Sequence, residues 1–144
     1  MRKIIAIAFA MLFATLQMNA QKVGYIDTEK ILSAIPAYRS AQSQLESLGK
    51  QYQEEIEREY AKIETLYNNY QAQKVNMSAQ ARQMKENEII QKEKAVKELQ
   101  QRYFGQDGNM QAKSEQLLNP IKERVEAAIK TLAQSEHYMI VFDV

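Results

Sequence analysis

The chain has no cysteine, no tryptophan, one histidine, two prolines and four glycines among 144 residues. Without cysteine there is no disulfide framework, no thiol nucleophile, no thiolate-bound metal and no cysteine-linked lipid anchor. The single histidine, His137, has no second histidine or cysteine to complete a transition-metal site. The glycines stand at 24, 49, 105 and 108 and spell no phosphate-binding loop. No other cofactor motif is present, and no nucleophile–base–acid constellation points to an enzyme. Asp27 and Asp143 each end an apolar segment, where a carboxylate serves to terminate a strand or cap the next element. An excess of one charge is missing too. Once the first twenty residues are set aside, seventeen basic and eighteen acidic residues give a formal charge of −1. Phosphate-backbone recognition requires a basic excess, so this balance excludes nucleic acid as the main partner.

Long apolar runs are also scarce. The longest is Ile4–Leu16, preceded by Arg2-Lys3 and followed by Gln17-Met18-Asn19-Ala20. A basic start, an apolar middle and a small residue at the end form a secretory signal peptide. Thirteen residues fall short of the ~20 that a membrane-spanning helix needs. Residues 1–20 therefore read as a signal cleaved after Ala20, which leaves an exported chain with no stable membrane anchor.

Lys22-Val23-Gly24-Tyr25-Ile26-Asp27 has the β-branched and aromatic content of a strand. Asp27 or Thr28 can cap a short helix over Glu29–Ile35. Pro36 ends that helix and suits the first turn of the next. These pieces, residues 21–36, form the first half of a small body. From residue 37 to 136 almost nothing interrupts helix. The first limb, Ala37–Val75, carries Tyr38, Ala41, Leu45, Leu48, Tyr52, Ile56, Tyr60, Ile63, Tyr67 and Tyr70 at steps of three and four, one continuous apolar stripe. Asn76-Met77-Ser78 reads as a tip, with Ser78 as the N-cap of a second limb over Ala79–Glu136. That limb has a less regular stripe through Met84, Ile89, Val96, Leu99, Tyr103, Met110, Leu117, Ile121, Val125, Ala128 and Leu132.

So short a connection makes the limbs an antiparallel hairpin. Folding near residue 77 puts Pro36 opposite Pro120 and Gly49 opposite Gly105. The segment Gly105-Gln106-Asp107-Gly108-Asn109 is the weakest helical stretch, so Gly49, Gly105 and Gly108 are hinge candidates. After the hairpin, Tyr138-Met139-Ile140-Val141-Phe142-Asp143-Val144 reads as a strand buried on both faces, paired with Val23–Ile26. Residues 137–144 complete the body. Two strands and a few helical turns are marginal alone. Val23, Tyr25, Ile26, Ile140, Val141 and Phe142 are thus expected to bury themselves against further copies of the chain.

Tyrosine is a poor choice for a dry helix seam, because its hydroxyl needs a partner. Methionine suits surfaces that adapt to many partners. Tyr52, Ile56, Tyr60, Ile63, Tyr67, Tyr70, Met77 and Met84 are therefore the candidate binding residues of the hairpin.

Taken in order, the leader, Lys22-Val23-Gly24-Tyr25-Ile26-Asp27, Ile31-Leu32 with Pro36, the Gln/Lys/Glu-rich hairpin, Leu117-Leu118-Asn119-Pro120-Ile121 and the closing Tyr138–Asp143 strand resemble the Skp/OmpH family of periplasmic chaperones. The resemblance implies a mainly α fold, with a coiled-coil tentacle projecting from a small β body in a homotrimer. It also implies a further strand and short helix, which would come after Val144. By the same resemblance the function is that of an ATP-independent holdase in the periplasm, without cofactors. It would bind unfolded outer-membrane proteins and keep them from aggregating. The residues alone also accommodate a second class, an exported structural adaptor docking on one folded partner. In that case the tyrosine stripe would be wholly internal.

Overall fold

The structure is a computed structural model that describes residues 22–144. The expected signal peptide, residues 1–20, lies outside the described residues. In chain order the elements are β1 (Lys22–Ile26), α1 (Thr28–Ala34), α2 (Pro36–Gln73), α3 (Ala79–Phe104), α4 (Asn109–Ser135) and β2 (Tyr138–Asp143), with a 3₁₀ turn at Lys74–Asn76. The fold is mainly helical, as expected, with a two-stranded β element.

The chain divides into two compact units. One joins the two ends, up to Glu29 and from Glu126; the other is Lys30–Val125.

In the first unit β1 and β2 pair in parallel. Val23 lies opposite Ile140, Gly24 opposite Val141, Tyr25 opposite Phe142 and Ile26 opposite Asp143. Between Lys22, which pairs with Tyr138, and Val23 the register shifts. Parallel pairing requires a crossover, and here the whole helical excursion supplies it. The α1 helix receives its cap from the far end of the sequence. The Thr28 N–H donates to Asp143 Oδ1 at 2.9 Å, and the Val144 N–H donates to the Ile26 carbonyl at 3.0 Å. Tyr138 covers Gly24, where a Cβ would meet its ring at 3.2 Å. The expectation that β2 is buried on both faces is not met within one chain. Tyr25 is 70% exposed, Met139 62% and Phe142 47%. Gly24, Ile26 and Val141 on one face are half-buried, whereas Val23, Tyr25, Ile140 and Phe142 on the other are exposed. His137 joins α4 to β2 with φ of 58°, the left-handed conformation common just past a helix end.

In the second unit α2 and α3 lie together as the two sides of a hairpin. Pro36 opens α2 at its first turn. Met77 is extended at the tip, and the Ser78 side chain caps α3 by accepting from the Ala81 N–H at 3.2 Å. The core is a line of apolar residues: Ile56, Ile63 and Tyr70 from α2 meet Ile89 and Val96 from α3, flanked by Leu66, Met77, Leu99 and Tyr103.

The second limb is not one helix. It breaks after Phe104 and resumes at Asn109. At the break the Gly105 N–H closes the end of α3 by donating to the Gln101 carbonyl at 2.7 Å, and Asp107 takes φ of 60°. The break also corrects the register. Between the tip and the break the expected pairing holds, with Tyr52 stacked on Tyr103 and Tyr70 bonded to Glu86. Beyond it, Gly49 faces Met110 rather than Gly105, with a Cβ at Gly49 3.6 Å from the Met110 methyl. Residues 105–108 leave the helical path, so the facing positions slip by about one turn. Pro120 sits inside α4.

Candidate functional site

The candidate binding residues divide into two groups. Ile56, Ile63 and Tyr70 are buried in the hairpin seam. Tyr52 is half-buried in a stack with Tyr103, and Met77 packs against the seam at the tip. Tyr60, Tyr67 and Met84 face outward, 42%, 47% and 64% exposed. The helical stripe explains the division. From Ile56 the seam runs through Glu59, Ile63, Leu66 and Tyr70, all buried or half-buried. Tyr60 and Tyr67 each lie one position past a seam residue, about 100° further round the helix. Leu66 is the seam residue that the stripe count passes over. It stands three after Ile63 and four before Tyr70, so the spacing contained the signal. Ile90 is another omission: Ile89 is buried, so its neighbour must point elsewhere, and Ile90 is 60% exposed.

Two grooves flank the seam and share Ile63. One, of about 580 Å³, is lined by Glu57, Tyr60, Ile63, Glu64 and Tyr67 of α2 with Glu93 of α3. Its walls are aromatic and acidic. The other, of about 340 Å³, has Ile63, Leu66, Val96 and Leu99 as its apolar floor, with Lys62, Lys92 and Arg102 exposed around it. The hairpin thus offers apolar surface edged by charges of both signs. Such a surface can hold apolar chain segments while remaining solvated.

Two tyrosine–carboxylate bonds tie α2 to α3. The Tyr70 hydroxyl donates to Glu86, and Lys74 lies 4.0 Å from the same carboxylate and 5.3 Å from the Tyr70 ring centroid. Further along, the Tyr103 hydroxyl donates to Glu55 Oε2 at 2.8 Å. Each carboxylate favours the neutral phenol, so the hydrogen bonds to Glu86 and Glu55 push the Tyr70 and Tyr103 hydroxyls above their ordinary pKa. In the strand unit, the backbone N–H of Thr28 holds the Asp143 carboxyl below the usual range.

The hinge candidates also separate. Gly105 and Gly108 form the helix break, whereas Gly49 lies inside unbroken α2. The body residues Val23, Tyr25, Ile26, Ile140, Val141 and Phe142 all fall on the paired strands. Among the described residues, no group of three or more histidine, cysteine, aspartate or glutamate side chains is placed to hold a metal, and no helix is long and apolar enough to cross a membrane.

Two long helical limbs paired as a hairpin, set in sequence between two parallel strands, define a mainly α coiled-coil hairpin protein with a small β element. The chain belongs to the OmpH-like family: residues 22–144 match the family described as outer membrane protein (OmpH-like). No curated protein matches the chain.

Proposed function

We propose that the chain is a periplasmic holdase chaperone that binds unfolded outer-membrane proteins and keeps them from aggregating, without ATP. One observation favours this over an adaptor with a fixed partner. The hairpin closes its own seam with Ile56, Ile63, Ile89 and Val96, yet leaves Tyr60 and Tyr67 in an open groove. An internal tyrosine stripe, which the adaptor reading requires, does not account for these two. Tyrosine and methionine amid charge give many weak contacts, which permit both holding and release. The family membership supports the same reading.

The exposed strand faces support assembly through the ends of the chain. Val23, Tyr25, Ile140 and Phe142 form an apolar surface on a sheet too small to be stable alone. A closed homotrimer through these strands would cover it. The signal peptide would deliver the chain to the periplasm.

The test is light scattering of an unfolded outer-membrane barrel diluted from urea, with the mature chain, residues 21–144, present or absent. Suppression of scattering for several unrelated barrels is the expected result. The double variant Tyr60→Ser/Tyr67→Ser should lose most of the suppression while its circular dichroism stays helical. Retained suppression in a folded variant would refute the assigned surface. No suppression by the unaltered chain would refute the chaperone reading.

A further inference from the structure

Tyr52 of α2 and Tyr103 of α3 form a face-to-face pair, with ring centroids 3.8 Å apart and planes 7° from parallel. Aromatic pairs usually prefer offset or edge-on arrangements. Phe104 meets Tyr52 edge-on at 6.2 Å, which leaves the stacked face to Tyr103. Both tyrosines are half-buried, reachable by small oxidants yet held by packing. The Tyr103 hydroxyl already donates to Glu55 at 2.8 Å, so a proton acceptor is in place. The chain has no tryptophan and no cysteine, so its tyrosines are where a one-electron oxidation comes to rest.

We propose that Tyr52 and Tyr103 are an oxidative cross-linking site, where a one-electron oxidant joins the two limbs of the hairpin as dityrosine. Each phenol gives one electron to the oxidant, a peroxyl radical or an oxidised metal complex. Tyr103 passes its proton to Glu55, and Tyr52 passes its proton to water. The two phenoxyl radicals carry spin on the ring carbons ortho to oxygen. One carbon–carbon bond forms between those carbons, and the two displaced ring hydrogens move to the phenolic oxygens. The product keeps both hydroxyls and has lost two electrons and two protons. Stacking supplies the proximity that converts a slow encounter of two radicals into an intramolecular step. Glu55 acts as a positioning residue and base for Tyr103. The staple would fix the seam next to the Gly105–Gly108 break, giving a chain without disulfides a covalent tie across its hairpin.

Photo-oxidised ruthenium tris-bipyridyl with persulfate, applied to the mature chain, provides the test. The chain is mixed half and half with its ¹⁵N-labelled form before oxidation. Digestion and mass spectrometry should find one dominant cross-linked peptide pair holding Tyr52 and Tyr103, two hydrogens lighter than its parts, with both halves of the same isotope. Tyr52→Phe and Tyr103→Phe keep the rings and the stack, and each should abolish this product. Glu55→Gln should slow its formation by about tenfold or more. Dityrosine that forms chiefly through Tyr60 or Tyr67, or chiefly between chains of different isotope, would overturn the proposal. An unchanged rate in Glu55→Gln would overturn the role of Glu55.

Discussion

Alanine should act in opposite directions at the glycines of the hairpin. Gly49 lies in the middle of α2, where a Cβ meets only the Met110 methyl at 3.6 Å, an ordinary contact. Helix propensity then decides, and Gly49→Ala should stabilise by about 1 kcal/mol. For a chain of this size that is a rise in Tm of roughly 3–6 °C. Gly105 is different. Its backbone is not left-handed, but a Cβ there would sit 2.4 Å from the Gln101 carbonyl oxygen. At Gly108 the Cβ would fall 2.8 Å from the Gly105 oxygen and 3.0 Å from that of Arg102. Both obstacles are backbone, so the turn itself must open. The cost is on the order of 1–3 kcal/mol at each position, the usual size of local backbone strain. The assay is thermal unfolding by circular dichroism at one fixed protein concentration, since any self-association would shift Tm. Hydrogen exchange of the Gly105 and Gly108 amides adds a local readout, because both donate within the break, at 2.7 and 2.9 Å. Gly105→Ala should lower Tm and speed exchange there. If it raised Tm as Gly49→Ala does, the close turn at 105–108 would not be a feature of the folded chain, and the register slip beyond it would fall as well.

Stability should decline on the alkaline side through Tyr70 and Tyr103. Both hydroxyls have raised pKa values in the fold, from their bonds to Glu86 and Glu55. A raised folded pKa means that the contribution is complete below the unfolded value of about 10 and is lost as pH rises through the folded one. Urea midpoints measured across that range should fall more steeply for the unaltered chain than for Tyr70→Phe/Tyr103→Phe; parallel curves would refute the linkage. Asp143 works in the other direction. Its depressed pKa, set first by the Thr28 N–H, gives stability that is present above the unfolded value near 4 and lost as pH falls through the folded one. Asp143→Asn should remove that acid dependence and speed exchange of the Thr28 amide. Ile63→Ala should destabilise by about 2–5 kcal/mol, because Ile63 is 8% exposed at the centre of the seam. Tyr60→Ser, on the open flank, should change stability by less than about 1 kcal/mol; equal losses in urea unfolding would place Tyr60 in the seam.

The hairpin was legible because its signals are local. Pro36 opens α2 and Ser78 caps α3, each through chemistry that lies within four residues. Tyrosine placement was only half legible. Spacings of three and four admit two neighbouring tracks on one helix, Ile56–Tyr60–Ile63–Tyr67 and Ile56–Glu59–Ile63–Leu66. Apolar spacing alone favours Tyr60 over the charged Glu59 but does not separate Tyr67 from Leu66. The fold chose the second in the seam, where Glu59 is tolerated at half-burial and forms an ion pair with Lys62 at 2.5 Å. A choice between tracks depends on what the partner helix presents, which no single-helix period contains. The Gly105–Gly108 segment shows the same limit. Its composition marked weak helix, and weakness became a break with Asp107 left-handed. The register consequence, Gly49 opposite Met110, emerged only once the loop residues had left the helical path. The longest-range feature was the least legible. Asp143 caps a helix that begins at Thr28, a contact between opposite ends of the chain. The aspartate at the end of β2 suggested a cap, but only the parallel pairing of β1 with β2 brings it to the right amide. Local chemistry thus set the starts of α2 and α3, whereas partner choice depended on topology.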